Sequence, residues 1–445
     1  VAGPSSDAAP GAVAPAAERD RVLDGVRASA LGVVVLGHAL AWDVSTGTPV
    51  SIADTRPDLV WLTWVVQVLP LFFAVGAVVN LGSLRRRPRF GSYARRRLVR
   101  LGVPSLVYAT FWTALLLPLA PFVPLAEVAG DYLATLTWFL GVYAAAVLAT
   151  PWTSTWAARA PALTIGAWFA AIVAVDVVRF TVAPLVGWLN VVLVWCWLHQ
   201  LGFHLPALRR RPAGHLLALA AATFAAAALL AGPGPYASAL VTFDLTDDRS
   251  NFTPPTAVLA LFGAAQVLVL AAVYPWLTRL LARERVWGVV GPASARAIGL
   301  YLWHIPWVGA VAVVAWETGF AAAPLSWPWW LAHAAGLAVV IPLTWLTAGL
   351  AAEGDRAVIT WLAGRRRRRL PAAPFALLAP VALLLVTITG YGTWGGTVFL
   401  GIVPSSSLLS LALLATAVWG LAVSDASRVA SGMPGGAGGP RSPAD

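Results

Sequence analysis

VRASALGVVVLGHALAWD, residues 26 to 43, decides the fold. The run is apolar along nearly its whole length, and at ~1.5 Å of rise per residue it is long enough to cross most of a ~30 Å hydrocarbon layer. Before its closing Asp43 it carries two ionisable side chains, Arg27 at its start and His38 eleven residues on. Eleven helical steps of about 100° return to nearly the same azimuth, so the two share one helix face. His38 then lies ~16 Å along the axis from Arg27, near the middle of a bilayer. An imidazole at that depth is usually functional: it can take a proton from a hydroxyl, while an arginine on the same face can meet a phosphate or a developing negative charge. Two readings stay open on this stretch alone, acyl-transfer chemistry and a histidine that only hydrogen-bonds a neighbouring helix.

The same pattern repeats outward from there. The chain of 445 residues is 59% hydrophobic and 11% charged, with a mean hydropathy of +0.77. Too little polar surface remains to coat a soluble core. Apolar runs predict an all-α, polytopic transmembrane helix bundle of about twelve spans, near 26–43, 59–82, 101–119, 132–150, 161–179, 185–201, 214–232, 255–279, 297–317, 329–351, 374–391 and 398–423. Residues 1–18, rich in Ala, Pro and Gly without positive charge, read as a disordered tail rather than a signal peptide, as do residues 424–445. Between them the division is 19–351 for the main body, 352–372 for an arginine-rich loop and 373–423 for two further helices.

A net charge of +11 would suggest nucleic acid in a soluble protein, so the placement of the basic residues matters. All 30 are arginine. With a cytoplasmic N-terminus, alternation leaves only Arg56, Arg179 and Arg249 outside, a strong positive-inside bias that puts both termini and the blocks Arg85 to Arg100, Arg209 to Arg211 and Arg365 to Arg369 in the cytoplasm. Anionic membrane lipid, not nucleic acid, is the partner this charge implies. Cys196 is the only cysteine, which excludes an internal disulfide and a cysteine-based metal site. No metal is expected elsewhere: Asp244, Asp247 and Asp248 cluster in an outer loop without a histidine and read as solvated.

Several segments carry further signals. LPLFFAVGAVVN (Leu69 to Asn80) sets Gly76 and Ala77 beside Phe72 and Phe73, small residues that permit close helix approach. In YARRRLVRLGVPSLVY, Arg97 and Arg100 are three apart and so share a helix face suited to phosphates, or to lipid headgroups alone. SNFTPPT (Ser250 to Thr256) opens the eighth span, with Thr253 as N-cap and Pro254 in the first turn. YLWHIP holds Tyr301, Trp303 and His304, the last a candidate for lining a thioester channel or for satisfying carbonyls freed by Pro306. Asp176 and Arg179, three apart, read as a local ion pair. His199, His204, His215 and His333 lie near helix ends and read as interfacial and solvated.

In this order, DGVRASALGVVVLGH, the Phe-Phe segment, RRLVRLGVP, SNFTPPT and YLWHIP resemble the acyltransferase 3 family of integral membrane acyltransferases, in a branch common in actinobacteria. The resemblance runs from about Arg19 to about residue 350 and implies a ten-helix acyltransferase core. It also implies transfer of an acyl group, most often acetyl, from cytoplasmic acyl-coenzyme A to a hydroxyl, often on a sugar at or beyond the outer face of the plasma membrane. By it, His38 matches the proposed catalytic histidine and Arg27 its partner, while Arg97 and Arg100, with Arg96 beside them, match a basic motif that contacts coenzyme A. Phe72, Phe73, Asn251, Tyr301, Trp303 and His304 would line the substrates. Where the family often has Ser-Gly after the double Phe, this chain has Gly76-Ala77, and the residues after the core, 352–445, read as a loop, two helices and a tail rather than as an esterase-like domain.

The sequence therefore predicts a bacterial membrane O-acyltransferase with His38 as general base, the acyl group passing either directly to the acceptor or through a transient acyl-histidine. The rival class is a proton-coupled transporter or flippase with His38 as a relay, against which no matching halves or broken helix pairs are apparent.

Overall fold

The computed structural model describes residues 20–45, 50–241, 250–366, 368–398 and 403–424. The expected N-terminal tail, all of the expected C-terminal tail but Ser424, and the three outer-loop aspartates lie outside the described residues. Helices dominate: α1 (Arg21–Ala41), α2 (Leu69–Arg86), α3 (Phe90–Leu116), α4 (Thr137–Arg159), α5 (Pro161–Thr181), α6 (Leu189–Gly202), α7 (Ala213–Ala231), α8 (Ala257–Leu281), α9 (Ala297–Glu317), α10 (Trp327–Ala363), α11 (Ala373–Thr389) and α12 (Ser407–Val423). Two short antiparallel hairpins, β1 (Trp42–Asp43) with β2 (Val50–Ser51) and β3 (Gly396–Val398) with β4 (Val403–Ser405), are the only ladders among the described residues. Ten of the helical segments are long and apolar enough to cross a membrane, and α11 and α12 are shorter apolar helices of 17 residues each. The protein is a multi-pass helical membrane bundle.

Local chemistry sets the ends. Asp20 caps α1, its Oδ1 accepting from the amides of Val22 and Leu23 at 3.0 and 3.4 Å. The second span is broken: a helix at Leu62–Val66 stops at Gln67, and α2 starts afresh with Pro70 in its first turn. Polar groups freed by the break must be satisfied inside the protein. Gln266 donates to the Gln67 carbonyl at 2.6 Å, and the Gln67 side chain takes the Leu69 amide at 3.3 Å and reaches the Leu240 carbonyl at 3.4 Å. The break is thereby sealed by side chains.

The start of α8 differs from the sequence expectation. It begins at Ala257, with Thr256 at the N-cap, and Thr253 and cis-Pro254 lie in the preceding loop. The first amide of α8 is taken by Asp176 of α5 at 2.8 Å. Asp176 also accepts from Asn190 at 2.8 Å and from the Tyr236 hydroxyl at 3.0 Å, while Arg179 donates to the carbonyls of Ser250 and Pro254 at 3.1 and 3.2 Å. The two charges thus knit three helices and the SNFTPPT loop together instead of serving only each other.

α4 and α8 are the most enclosed spans, and α5 and α7 the most exposed. α10 continues as helix to Ala363, so the stretch read as a loop from residue 352 begins as an extension of the last long span. Helix propensity is uninterrupted there: AAEGDRAVITWLA contains one glycine and no proline. α11 and α12 pack on each other and against α3 and α4. At those seams Gly102 lies under Val418, Gly141 under Leu384 and Gly420 under Phe375, each with less than 3.0 Å to spare for an added methyl group. At the end of α11, Gly390 adopts φ +62 against Asp131, a conformation and clearance that only glycine meets.

Candidate active site

Two histidines from distant parts of the chain meet inside the bundle. His38 on α1 and His304 on α9 are 2.9 Å apart, Nδ1 to Nε2, with ring planes 22° apart and centroids separated by 5.2 Å, the geometry of an edge-to-edge hydrogen bond. The protonation pattern follows from the neighbour behind. His304 Nδ1 lies 3.1 Å from the Leu300 carbonyl, which can only accept. A neutral His304 therefore carries its proton on Nδ1 and accepts at Nε2. His38 must then donate from Nδ1, which leaves the lone pair of its Nε2 available as a base. The carbonyl that Pro306 frees is that of Leu302, one helical turn before it, so His304 is not the kink-filling residue that the sequence allowed.

The end of α1 beyond His38 is fixed from outside. Trp42 stacks on His333 with centroids 4.1 Å apart, Trp329 stacks on the other face at 3.8 Å, and the His333 ring reaches the carbonyls of Trp42 and Trp329 at 3.2 and 2.9 Å. Asp43 follows. Burial pushes its carboxyl up, but bonds from the Ser45 amide at 2.9 Å and the Thr55 hydroxyl at 2.7 Å, with His333 nearby, leave it below the usual carboxylate range.

An aromatic track connects the histidine pair to the arginine-rich end. Tyr301 lies 6.2 Å from His304 between centroids and 5.2 Å from Phe139, which in turn meets Tyr143 at 6.1 Å, Phe72 at 5.7 Å and Phe73 at 5.5 Å. Arg97 Nη2 donates to the Tyr143 hydroxyl at 3.3 Å. Tyr143 can lie there because position 76 is glycine: a Cβ on Gly76 would stand 2.6 Å from its Cε2 and 2.8 Å from its hydroxyl oxygen. Arg97 Nε and Arg95 Nη1 are buried without hydrogen-bond partners, an arrangement suited to an anionic group such as a phosphate. Arg96 and Arg100 are solvent-exposed at the same end.

Not every sequence candidate joins this site. Arg27 pairs with Asp24 at 2.9 Å, facing the start of α1, and does not approach His38. Trp303 points away from the histidines and packs on Tyr108 and Phe111 of α3 at 5.2 and 5.4 Å. Asn251 serves its own loop: its amide donates to the carbonyls of Ala237 and Ala239, and its oxygen accepts from Thr256 at 2.8 Å. Among the four histidines expected at the interface, His215 is exposed and His204 half-buried, but His199 and His333 are fully enclosed. His199 bonds Asn80 of α2 at 3.0 Å. Sequence reasoning passed over Asn80 and Tyr143, although both stand inside the apolar segments it singled out.

A histidine oriented by a second histidine, a track of ring contacts and partly buried guanidinium groups form one connected arrangement, and comparison with known proteins agrees in kind. The sequence model of the acyltransferase 3 family, described as an acyltransferase domain, matches residues 20–349. The chain belongs to the acyltransferase 3 family. No curated protein and no solved structure matches it. The family match ends within α10, so α11 and α12 lie outside the matched residues, and the His38 and His304 pair lies wholly inside them.

Proposed function

We propose that this membrane acyltransferase moves an acyl group, acetyl by family resemblance, from acyl-coenzyme A to a hydroxyl of a carbohydrate or glycosylated acceptor. The bond between His38 Nδ1 and His304 Nε2 carries the reading, because it turns a lone intramembrane imidazole into an oriented base. His38 Nε2 takes the proton of the acceptor hydroxyl as that oxygen attacks the thioester carbonyl. The tetrahedral centre then collapses, the carbon–sulfur bond breaks, and the proton returns from His38 to the departing coenzyme A sulfur. Tyr301, Phe139, Phe72 and Phe73 wall the passage and keep bulk water from the thioester. Arg97, with Arg95, Arg96 and Arg100 around it, holds the phosphates of the donor at the arginine-rich end. By the positive-inside bias that end faces the cytoplasm of the plasma membrane, with both termini on the same side.

The test incubates membranes containing wild type or His38→Ala with labelled acetyl-coenzyme A and follows label into glycan, lipid and small-molecule fractions. Wild type transfers label, and the variant loses at least about a hundredfold, the usual contribution of a positioned base. Equal incorporation by a well-folded variant refutes the mechanism, and pH-coupled uptake without acylated product would assign the chain to transport.

A further inference from the structure

Beside the aromatic track lies a polar pair that the proposed chemistry does not use. Asn80 on α2 and His199 on α6 are both enclosed, at 0% and 1% exposure, and bond each other at 3.0 Å. Asn80 Oδ1 is buried with no partner, and the second ring nitrogen of His199 makes no bond among the described residues. Whichever way the Asn80 amide and the His199 tautomer are assigned, their mutual bond consumes one donor and one acceptor. The pair is left presenting a hydrogen-bond acceptor and a donor to their surroundings. Unsatisfied groups of this kind inside a membrane protein are costly and need an occupant.

The position narrows what that occupant is. Arg97, whose Nε is also buried and unpartnered, lies within electrostatic reach of His199. Phe73, two helical turns before Asn80 on α2, stacks on Trp195, one turn before His199 on α6, at 4.9 Å. The pair therefore lies between the guanidinium end and the aromatic track. A ligand there would have phosphates at the arginines, a thioester beyond the aromatic rings, and between them a chain bearing both N–H and C=O groups.

We propose that Asn80 and His199 bind the amide groups of the donor's pantetheine arm and so select donors that carry it. This rests on the acyl-coenzyme A reading above, and it assigns two specificity residues rather than catalytic ones. A secondary amide supplies the N–H and the C=O that the pair lacks, and an amide bound there tethers the thioester at a fixed depth on its way to His38.

The experiment measures binding of two ligands to the full-length protein in detergent, by ligand-induced thermal stabilisation. One is coenzyme A. The other is the bisphosphorylated adenosine that forms its nucleotide end and lacks the arm. Asn80→Leu and His199→Phe should each weaken coenzyme A by about tenfold, ~1.4 kcal/mol, and leave the nucleotide unchanged. Arg97→Ala should weaken both. Without ligand, the double variant Asn80→Leu/His199→Phe should melt at the same temperature as wild type or higher, because both members of a partly satisfied buried pair have been removed and neither is left without its partner. Equal weakening of both ligands, no weakening of either, or a lowered melting temperature with unchanged selectivity would overturn the assignment. Wild type that binds neither ligand would instead remove the coenzyme A reading on which it stands.

Discussion

His304→Ala separates an oriented base from a lone one. The substitution removes the acceptor 2.9 Å from His38 Nδ1 and leaves that N–H without its partner. A hydrogen bond between neutral groups is worth about 1 kcal/mol, so losing it costs roughly fivefold in the population of the productive tautomer and orientation. Releasing the ring to other rotamers adds to this, which puts the expected fall in kcat at about five- to fiftyfold with little change in KM for the donor. His38→Ala should cost more, about a hundredfold or beyond. The decisive measurement is the double variant. If His304 acts only through His38, His304→Ala in a His38→Ala background costs nothing further, because the two groups work as a unit. His304→Gln, which keeps an acceptor oxygen, should recover part of the rate. Transfer of labelled acetyl groups is measured on equal amounts of detergent-extracted protein, with melting temperatures as a control for folding. An undiminished loss from His304→Ala in the His38→Ala background would refute the orienting role.

Three further outcomes are expected. Gly76→Ala places a methyl group against the Tyr143 ring, so it should cost about 1–3 kcal/mol by overpacking and weaken donor binding by displacing the Arg97 contact; adding Tyr143→Phe should weaken binding little more, and full additivity would show that the contact is irrelevant. Asp176→Ala leaves the Asn190 amide, the Tyr236 hydroxyl and the Ala257 amide without their acceptor, at about 1–3 kcal/mol for each buried group, and should sharply reduce folded yield and melting temperature; an unchanged melting temperature would count against the network. In a Cys196→Ala background, a single cysteine at Asp58 should react with an impermeant thiol reagent on intact cells and one at Arg89 should not, and the opposite pattern would invert the topology.

The spans were legible because about twenty apolar residues in a row admit few other readings, and His38 stood out because charge is rare at that depth. What the sequence concealed was non-local. His304 is 266 positions from His38, and no periodicity links two helices so far apart. Thr253 and Pro254 read as a helix start because local capping rules favour them, whereas the true start at Ala257 is capped by Asp176, 81 residues earlier. Arg27 shares a face with His38 as the helical repeat requires, yet a shared face does not bring side chains together across three turns, and Asp24 is the nearer partner. His333 and His199 looked solvated by their place near helix ends and are enclosed because Trp42 and Asn80 come to them from other elements, with Trp329 one turn earlier on α10 closing over His333.

The glycine seams beneath α11 and α12 bear on how this enzyme can be dissected. Gly102 and Gly141 belong to α3 and α4, inside the matched acyltransferase domain, yet they are shaped to receive Val418 and Leu384 from outside it. A chain cut at the domain boundary would turn those sockets toward lipid, whose mobile tails fill a glycine notch less well than a fixed side chain does. An isolated domain would therefore report the cost of its bare flank along with its chemistry.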